Sequence, residues 1–213
     1  MVRRRAANAS NPVSDSARDA VLNAARVEFA AKGLDGGRIN EIAHRAGVNK
    51  QLIYYYFGSK EELYRAALEA VYLEIRRMEA ELRLGDLPPL KAMEALIGFS
   101  FDYLAAHPEF IRLLNHENAQ GATHVHGSEV IRATSSPLID LITTTLRQGA
   151  QAGAFRSDVD PVNFYISVAG MSYFFFSNQL TLSTLFGRDL ASARHLRAYR
   201  RHVIAAGLEI LTP

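Results

Sequence analysis

The chain has 213 residues, 48% of them hydrophobic, which is enough for one large domain or two modest ones around a packed core. It contains no cysteine, which excludes disulfides, thiolate metal sites and a Cys nucleophile. The net charge of +2 divides unevenly: residues 1–63 hold ten Lys+Arg against seven Asp+Glu, the rest fourteen against fifteen, and Arg3, Arg4 and Arg5 supply the excess, so charge alone points only weakly to nucleic acid.

In chain order, residues 1–13 read as a disordered basic arm, and MVRRRAANASNP lacks the apolar core of a signal peptide. With no apolar run of membrane-spanning length, the expectation is a cytoplasmic protein without a membrane partner. Ser14 or Ser16 can cap a first helix in which Leu22, Ala25 and Phe29 recur at helical spacing, and Lys32-Gly33 ends it. A loop with Gly36-Gly37 precedes a short helix at about 39–46. Gly47 then supplies a left-handed turn, and Asn49 caps a helix reaching about residue 57. Gly58 closes that helix, and Ser59 with Glu62 forms a capping-box pattern opening a long helix to about residue 84.

Gly85-Asp86 and Pro88-Pro89 terminate the long helix. Helices follow at about 90–106 and 108–118, then a loop or frayed turn at 121–128, then a helix interrupted or kinked at Pro137 and ending at Ala152-Gly153. After a turn at 157–161, residues 162–176 are apolar on nearly every side and predict a helix buried all round. A final helix covers about 189–211. The predicted fold is all-α: a three-helix DNA-binding head at 14–63 containing a helix-turn-helix, and a larger helical domain at 64–213, to which the resemblance given below assigns effector binding and dimerisation.

The pair of helices at 39–57 carries the chemistry of a reader of double-stranded DNA. In such a unit the first helix braces the second, whose N-terminal end meets base edges in the major groove. Ile42, Ala43, Val48 and Ile53 are expected to pack inward, leaving Lys50, Gln51, Leu52, Tyr54 and Tyr55 toward the groove. Lys50 can reach guanine O6/N7 or a phosphate, Gln51 can pair with adenine N6/N7, and Leu52 can touch a thymine methyl. Tyr54, Tyr56 and Lys60 suit phosphate oxygens, and Arg38 and Asn49 flank the two helices as further candidates. A purely structural helix pair is the alternative. Against it, successive helical residues turn by about 100°, so Tyr54, Tyr55 and Tyr56 cannot all face one core.

At these residues the chain resembles the TetR/AcrR family of bacterial transcriptional regulators. The run EIAHRAGV, then Ile53-Tyr54, Tyr56-Phe57, Ser59-Lys60 and Glu62-Leu63 follow that family's N-terminal motif over about residues 16–63. Two departures stand out: Gly37-Arg38 where a capping Thr is usual, and Gln51-Leu52 where small residues are common. The resemblance implies a homodimer on a palindromic operator, an unidentified small-molecule effector in the C-terminal helices, and repression relieved by that effector, with no cofactor. Residues 107–186 also resemble the subgroup of pyrimidine-responsive regulators of uracil catabolism, through HPEF at 107–110, Glu117, Gln120-Gly121, Gly153 to Asp160-Pro161 and Leu185-Phe186-Gly187.

For the effector, Asn115 and Asn118 share a helix face and can offer two amides to a polar ligand, a solvated surface being the alternative. Phe101, Tyr165 and Tyr173 are candidate aromatic walls, with Ala169 and Gly170 leaving space beside Tyr173; ordinary core is the alternative for each. Arg76 can pair with a ligand carboxylate or be solvated. His107, His116, His124 and His126, with Glu109 and Glu117, fit no strong zinc spacing, and no metal is expected. The sequence holds no recognisable nucleophile or phosphate loop, so an enzyme is not expected. The last two helices, with Ala205, Ala206 and Gly207, are expected to form a four-helix interface with a second copy. Two other functions compete: an architectural DNA-binding protein without effector, and a His-based metal-dependent protein.

Overall fold

The computed structural model describes residues 12–213, so Arg3, Arg4 and Arg5 of the expected basic arm lie outside the described residues. The described chain folds as helices and turns in two units that divide between Ala70 and Val71. No helix among the described residues is long and apolar enough to cross a membrane.

The first unit holds α1 (Pro12–Gly36), α2 (Ile39–Ala46), α3 (Lys50–Phe57) and the start of α4 (Lys60–Glu81). Its core is the apolar stripe foreseen on α1 (Val21, Ala25, Phe29) closed by Ile42, Ala43 and Ile53. Phe29 meets Tyr64 edge-on, ring centroids 5.1 Å apart. The helix of α1 breaks at Gly33, whose φ of 68° and ψ of −176° are non-helical, and resumes to Gly36. Gly37 carries the next constraint: a Cβ there would lie 2.6 Å from Phe29 Cδ1, so only glycine lets α2 begin this close to α1. That explains the first departure from the family motif. Arg38 is the N-cap of α2 without a side-chain bond, and its backbone N–H donates instead to buried Glu28, 3.2 Å away.

In the second unit α5 (Pro89–Ala106) is the central helix, packed against α8 (Glu129–Gln151), α9 (Pro161–Phe186) and α10 (Ala193–Glu209). Met93, Ile97, Ile142, Phe164, Val168 and Val203 form the middle of the core. α6 (Pro108–Ala119) is followed by the single-turn α7 (Thr123–His126), where a loop or frayed turn was expected. The cause is Glu117, 1% exposed, whose carboxylate accepts from the N–H groups of His124 and Val125 at 2.6 and 3.0 Å and faces His124 Nδ1 at 3.1 Å.

Three further expectations are corrected. α4 ends at Glu81, and Leu84–Asp86 is a separate 3-10 turn with Leu84 buried. Of the two readings at Pro137, interruption is excluded, since α8 passes through it as one helix; Ala133, whose carbonyl loses its partner to the proline, is exposed, so water can satisfy it. α9 ends ten residues later than expected and is not buried all round. Phe164, Val168, Ser172 and Phe175 face the core, while Val162, Ile166, Phe174, Leu180, Leu185 and Phe186 are exposed.

Candidate nucleic-acid interface and effector site

Gly47 makes the turn between α2 and α3 at φ 68° and ψ 29°, a left-handed conformation that glycine adopts without steric cost. Asn49 then caps α3, its Oδ1 accepting from Leu52 N–H at 2.9 Å. With both ends fixed, the eight residues of α3 resolve into rows of residues four apart. Ile53 and Phe57 are buried, and the Arg18 guanidinium lies 5.2 Å from the Phe57 ring centroid. Lys50 with Tyr54 and Gln51 with Tyr55 are exposed, Tyr55 at 81%; Leu52 and Tyr56 are half-buried between the two faces. Val48, expected inside, is also half-buried.

The structure therefore brings Lys50, Gln51, Tyr54 and Tyr55 together on one solvent-facing surface, with Leu52 and Tyr56 at its edges. Tyr56 leans on Tyr55 edge-on at 5.4 Å. Asn49 stands at the same end, but its carbonyl oxygen is committed to the cap. Arg38 is exposed at the start of α2. At the start of α4, Ser59 Oγ accepts from Glu62 N–H at 3.0 Å, and Lys60 Nζ donates to the Asp35 carbonyl at 3.2 Å. The Glu62 side chain pairs with Arg65, so the capping box is made on one side only. Glu28 went unnoticed in the sequence. Burial acts to raise its carboxyl, but Lys32 at 2.8 Å and the Arg38 N–H outweigh that and hold it below the ordinary carboxylate range.

In the second unit, a polar stripe crosses helices α4, α6 and α9. Asn115 Nδ2 donates to Ser177 Oγ at 3.0 Å, and its Oδ1 accepts from the Tyr173 hydroxyl. Burial raises the Tyr173 phenol above its ordinary range, opposed by a bond to Asn118, so both asparagines converge on this tyrosine. Tyr165, about two turns earlier on α9, accepts from Arg76 Nη2 at 3.2 Å. Ala169 is half-buried between the two tyrosines, and Gly170 is exposed with nothing within 4 Å of a Cβ built on it. Burial pushes the Tyr72 phenol up to about 12, which keeps this neighbour of Arg76 and Tyr165 protonated.

Two candidates are placed elsewhere. Phe101 is 2% exposed and packs against Phe176 at 4.9 Å and Tyr199 at 6.2 Å, within the core. Gly207 serves contacts within the chain, because a Cβ there would meet Ile97 Cδ1 at 2.8 Å. Arg76 is not a solvated arginine. Its side chain is 13% exposed and pairs with Glu79, itself 7% exposed, and burial raises the Glu79 carboxyl while Arg76 opposes the rise. Sequence reasoning missed Tyr72, Glu79 and Ser177. Their signal was spacing: 72, 76 and 79 on α4, and 165, 169, 173 and 177 on α9, each lie on one helical face.

Arg76 and Glu79 also form one end of a cleft of about 470 Å³ between α4 and α8, lined by the apolar Leu73, Leu138 and Leu141 and also by Arg77 and Thr134. A second hollow of about 690 Å³ lies along the exposed side of α9 and α10, between Phe174, Phe186, His195 and Tyr199. The histidines are engaged singly, His107 with Glu109 at 3.0 Å and His124 with Glu117, and no cluster of three metal-ligating side chains occurs among the described residues.

Comparison with known proteins places this geometry. Residues 21–67 match the family described as bacterial regulatory proteins, tetR family, and residues 89–206 match the tetracyclin repressor-like C-terminal domain. The chain is 38% identical over 178 residues to the HTH-type transcriptional repressor NicS of Pseudomonas putida, covering 84% of each protein. Over 103 residues, 48% of each chain, it is 36% identical to the HTH-type transcriptional regulator RutR of Escherichia coli K12. Among solved structures, a putative transcriptional regulator SCO4942 from Streptomyces coelicolor shares the fold with a TM-score of 0.69 at 23% identity, over 92% of this chain and 99% of that one. The regulator FadR from Bacillus subtilis, solved with stearoyl-CoA, shares it with a TM-score of 0.69 at 17% identity, over 91% of this chain and 99% of that one.

Proposed function

The chain belongs to the tetR family of bacterial regulatory proteins, and we propose that it grips operator DNA with the exposed surface of α3 and lets go when a small molecule enters its second unit. It is a ligand-responsive, DNA-binding transcriptional repressor. The observation that carries the α3 assignment is the two-sidedness of that helix. Ile53 and Phe57 lock one face, while Lys50, Gln51, Tyr54 and Tyr55 are free of the core.

In this reading Gln51 and Lys50 read base edges, while Tyr54, Tyr55 and Tyr56 set the helix against the sugar-phosphate backbone. Arg38 and Lys60 bear on phosphates at the rim, and Leu52 meets a thymine methyl. Asn49 acts through the cap. The effector is received where Arg76, Tyr165, Tyr173, Asn115 and Asn118 bring hydrogen-bonding groups together beside Ala169. Phe101 is left to the core.

Two copies associate through α9 and α10, and what supports this is that α9 leaves Ile166, Phe174, Leu180, Leu185 and Phe186 exposed, an apolar face that a second copy would cover. A twofold dimer then presents two α3 helices to a palindrome with half-sites about 34 Å apart. The test is a footprint on the promoter region nearest the gene. Wild type is expected to protect one palindrome, and Lys50→Ala and Tyr54→Ala each to weaken binding by about 1–3 kcal/mol per lost contact with unfolding unchanged. If both variants bind like wild type, α3 is not the reader.

A further inference from the structure

The cleft between α4 and α8 says something about the charge of what it receives. Its walls are apolar apart from Thr134, from Arg77, whose exposed charge is paired with Glu81 at 2.7 Å, and from one end where Arg76 and Glu79 face each other with side chains 13% and 7% exposed. Together they are electrically neutral. A carboxylate placed there meets Glu79 at close range, and an ammonium meets Arg76; each adds an unpaired charge to a site with little water.

Arg76 is not fully satisfied. One Nη donates to Glu79 and the other to the Tyr165 hydroxyl at 3.2 Å, but its Nε–H is buried with no hydrogen-bond partner among the described residues. A buried donor without an acceptor is costly, and supplying the acceptor recovers that cost. Tyr165, which accepts from Arg76, keeps its own proton to donate.

We propose that this cleft takes an uncharged ligand with an apolar body and one carbonyl-type acceptor, received by Arg76 Nε while Glu79 keeps the site neutral. The proposal rests on the effector reading above and names the ligand's chemical class. Because Nε–H is covered, reception goes with a turn of the Arg76 side chain that leaves Glu79 on an Nη. The apolar body lies against Leu138 and Leu141, and a volume of about 470 Å³ suits a small-molecule ligand.

The experiment uses the full chain and probes that share one body: benzamide, benzoate and benzylamine, with their 4-ethyl homologues. Binding is followed by calorimetry and thermal shift at neutral pH, alongside operator binding of the same preparation. The amides are expected to bind at least about tenfold more tightly than the carboxylates and amines, and the ethyl homologues more tightly than the parents. Arg76→Lys, which retains a charge for Glu79 but has no Nε–H, is expected to weaken amide binding about tenfold, and Leu141→Trp, which fills the cleft, to abolish it. Benzoate binding as tightly as benzamide overturns the proposal, as does an unchanged affinity in both variants. Operator binding without response to any probe also overturns it, leaving the regulatory reading intact, whereas a wild-type protein that binds no operator counts against that reading instead.

Discussion

At the level of single residues, Glu28 shows how the head spends a buried charge. Its carboxylate holds Lys32 across one helical turn and the first N–H of α2, so it joins the end of α1 to the start of the reader. The direction of its shift fixes a pH dependence. The folded-state value lies below the ordinary 4.5, so its contribution is fully present above pH 4.5 and is lost as pH falls through the lowered value. Glu28→Gln keeps the shape and removes the charge. It is expected to cost about 1–3 kcal/mol near neutrality, the range for hydrogen bonds to a charged group. In urea titrations from pH 7 to 3, the gap between wild type and Glu28→Gln should be constant above pH 4.5 and close below it. A gap that widened on acidification would show that the carboxylate is not the stabilising species.

At the level of elements, α3 separates capping from recognition at a single position. Asn49 gives its side-chain oxygen to Leu52 N–H, leaving the amide nitrogen as the atom available for DNA. Serine at an N-cap supplies the same acceptor without that nitrogen. Asn49→Ala is expected to cost about 1 kcal/mol in stability and to weaken operator binding; Asn49→Ser is expected to restore both. Should Asn49→Ser fold like wild type yet bind as weakly as Asn49→Ala, the amide touches DNA.

The same scale shows what could be read in advance. The reader was legible because its signals are local: Gly47 for the turn, Asn49 for the cap, and a four-residue rhythm that puts Ile53 and Phe57 on the face away from Gln51 and Tyr55. The end of α9 was not, because residues 177–186 carry Ser, Thr and Asn that ordinarily mark loops. Here their side chains bond back along the helix, as from Asn178 to the Phe174 carbonyl at 2.9 Å, and Gly187 ends it with φ 58°. Arg76 was misread for a different reason. Arg76–Glu79 and Lys91–Glu94 have the same spacing, yet the first pair is 13% and 7% exposed and the second 66% and 41%, a difference set by packing between distant helices. Glu28 and Glu117 escaped likewise, since nothing local marks a carboxylate that will collect backbone N–H groups from another element.

For the whole molecule, the exposed side of α9 makes a quantitative demand. Phe174 is 59% exposed and Leu180 82%, on a face that also carries Ile166 and Leu185. If a second copy covers this face, operator affinity depends on it even though no residue of α9 touches DNA. Two linked heads bind a palindrome with an effective concentration that raises affinity by about 10²–10⁴ over one head. Phe174→Glu combined with Leu180→Glu places charges in the interface while leaving α3 unchanged. The double variant is expected to sediment as a monomer where wild type is a dimer, and to lose about 100-fold or more in operator affinity. Its salt dependence should change in a defined way: one head neutralises half as many phosphates, so the slope of log affinity against log salt should fall to about half. A variant that stays dimeric would move the interface away from this face. A monomer that binds the palindrome with wild-type affinity and an undiminished salt slope would show instead that a single head suffices, because halving the phosphate contacts cannot leave the counterion release unchanged.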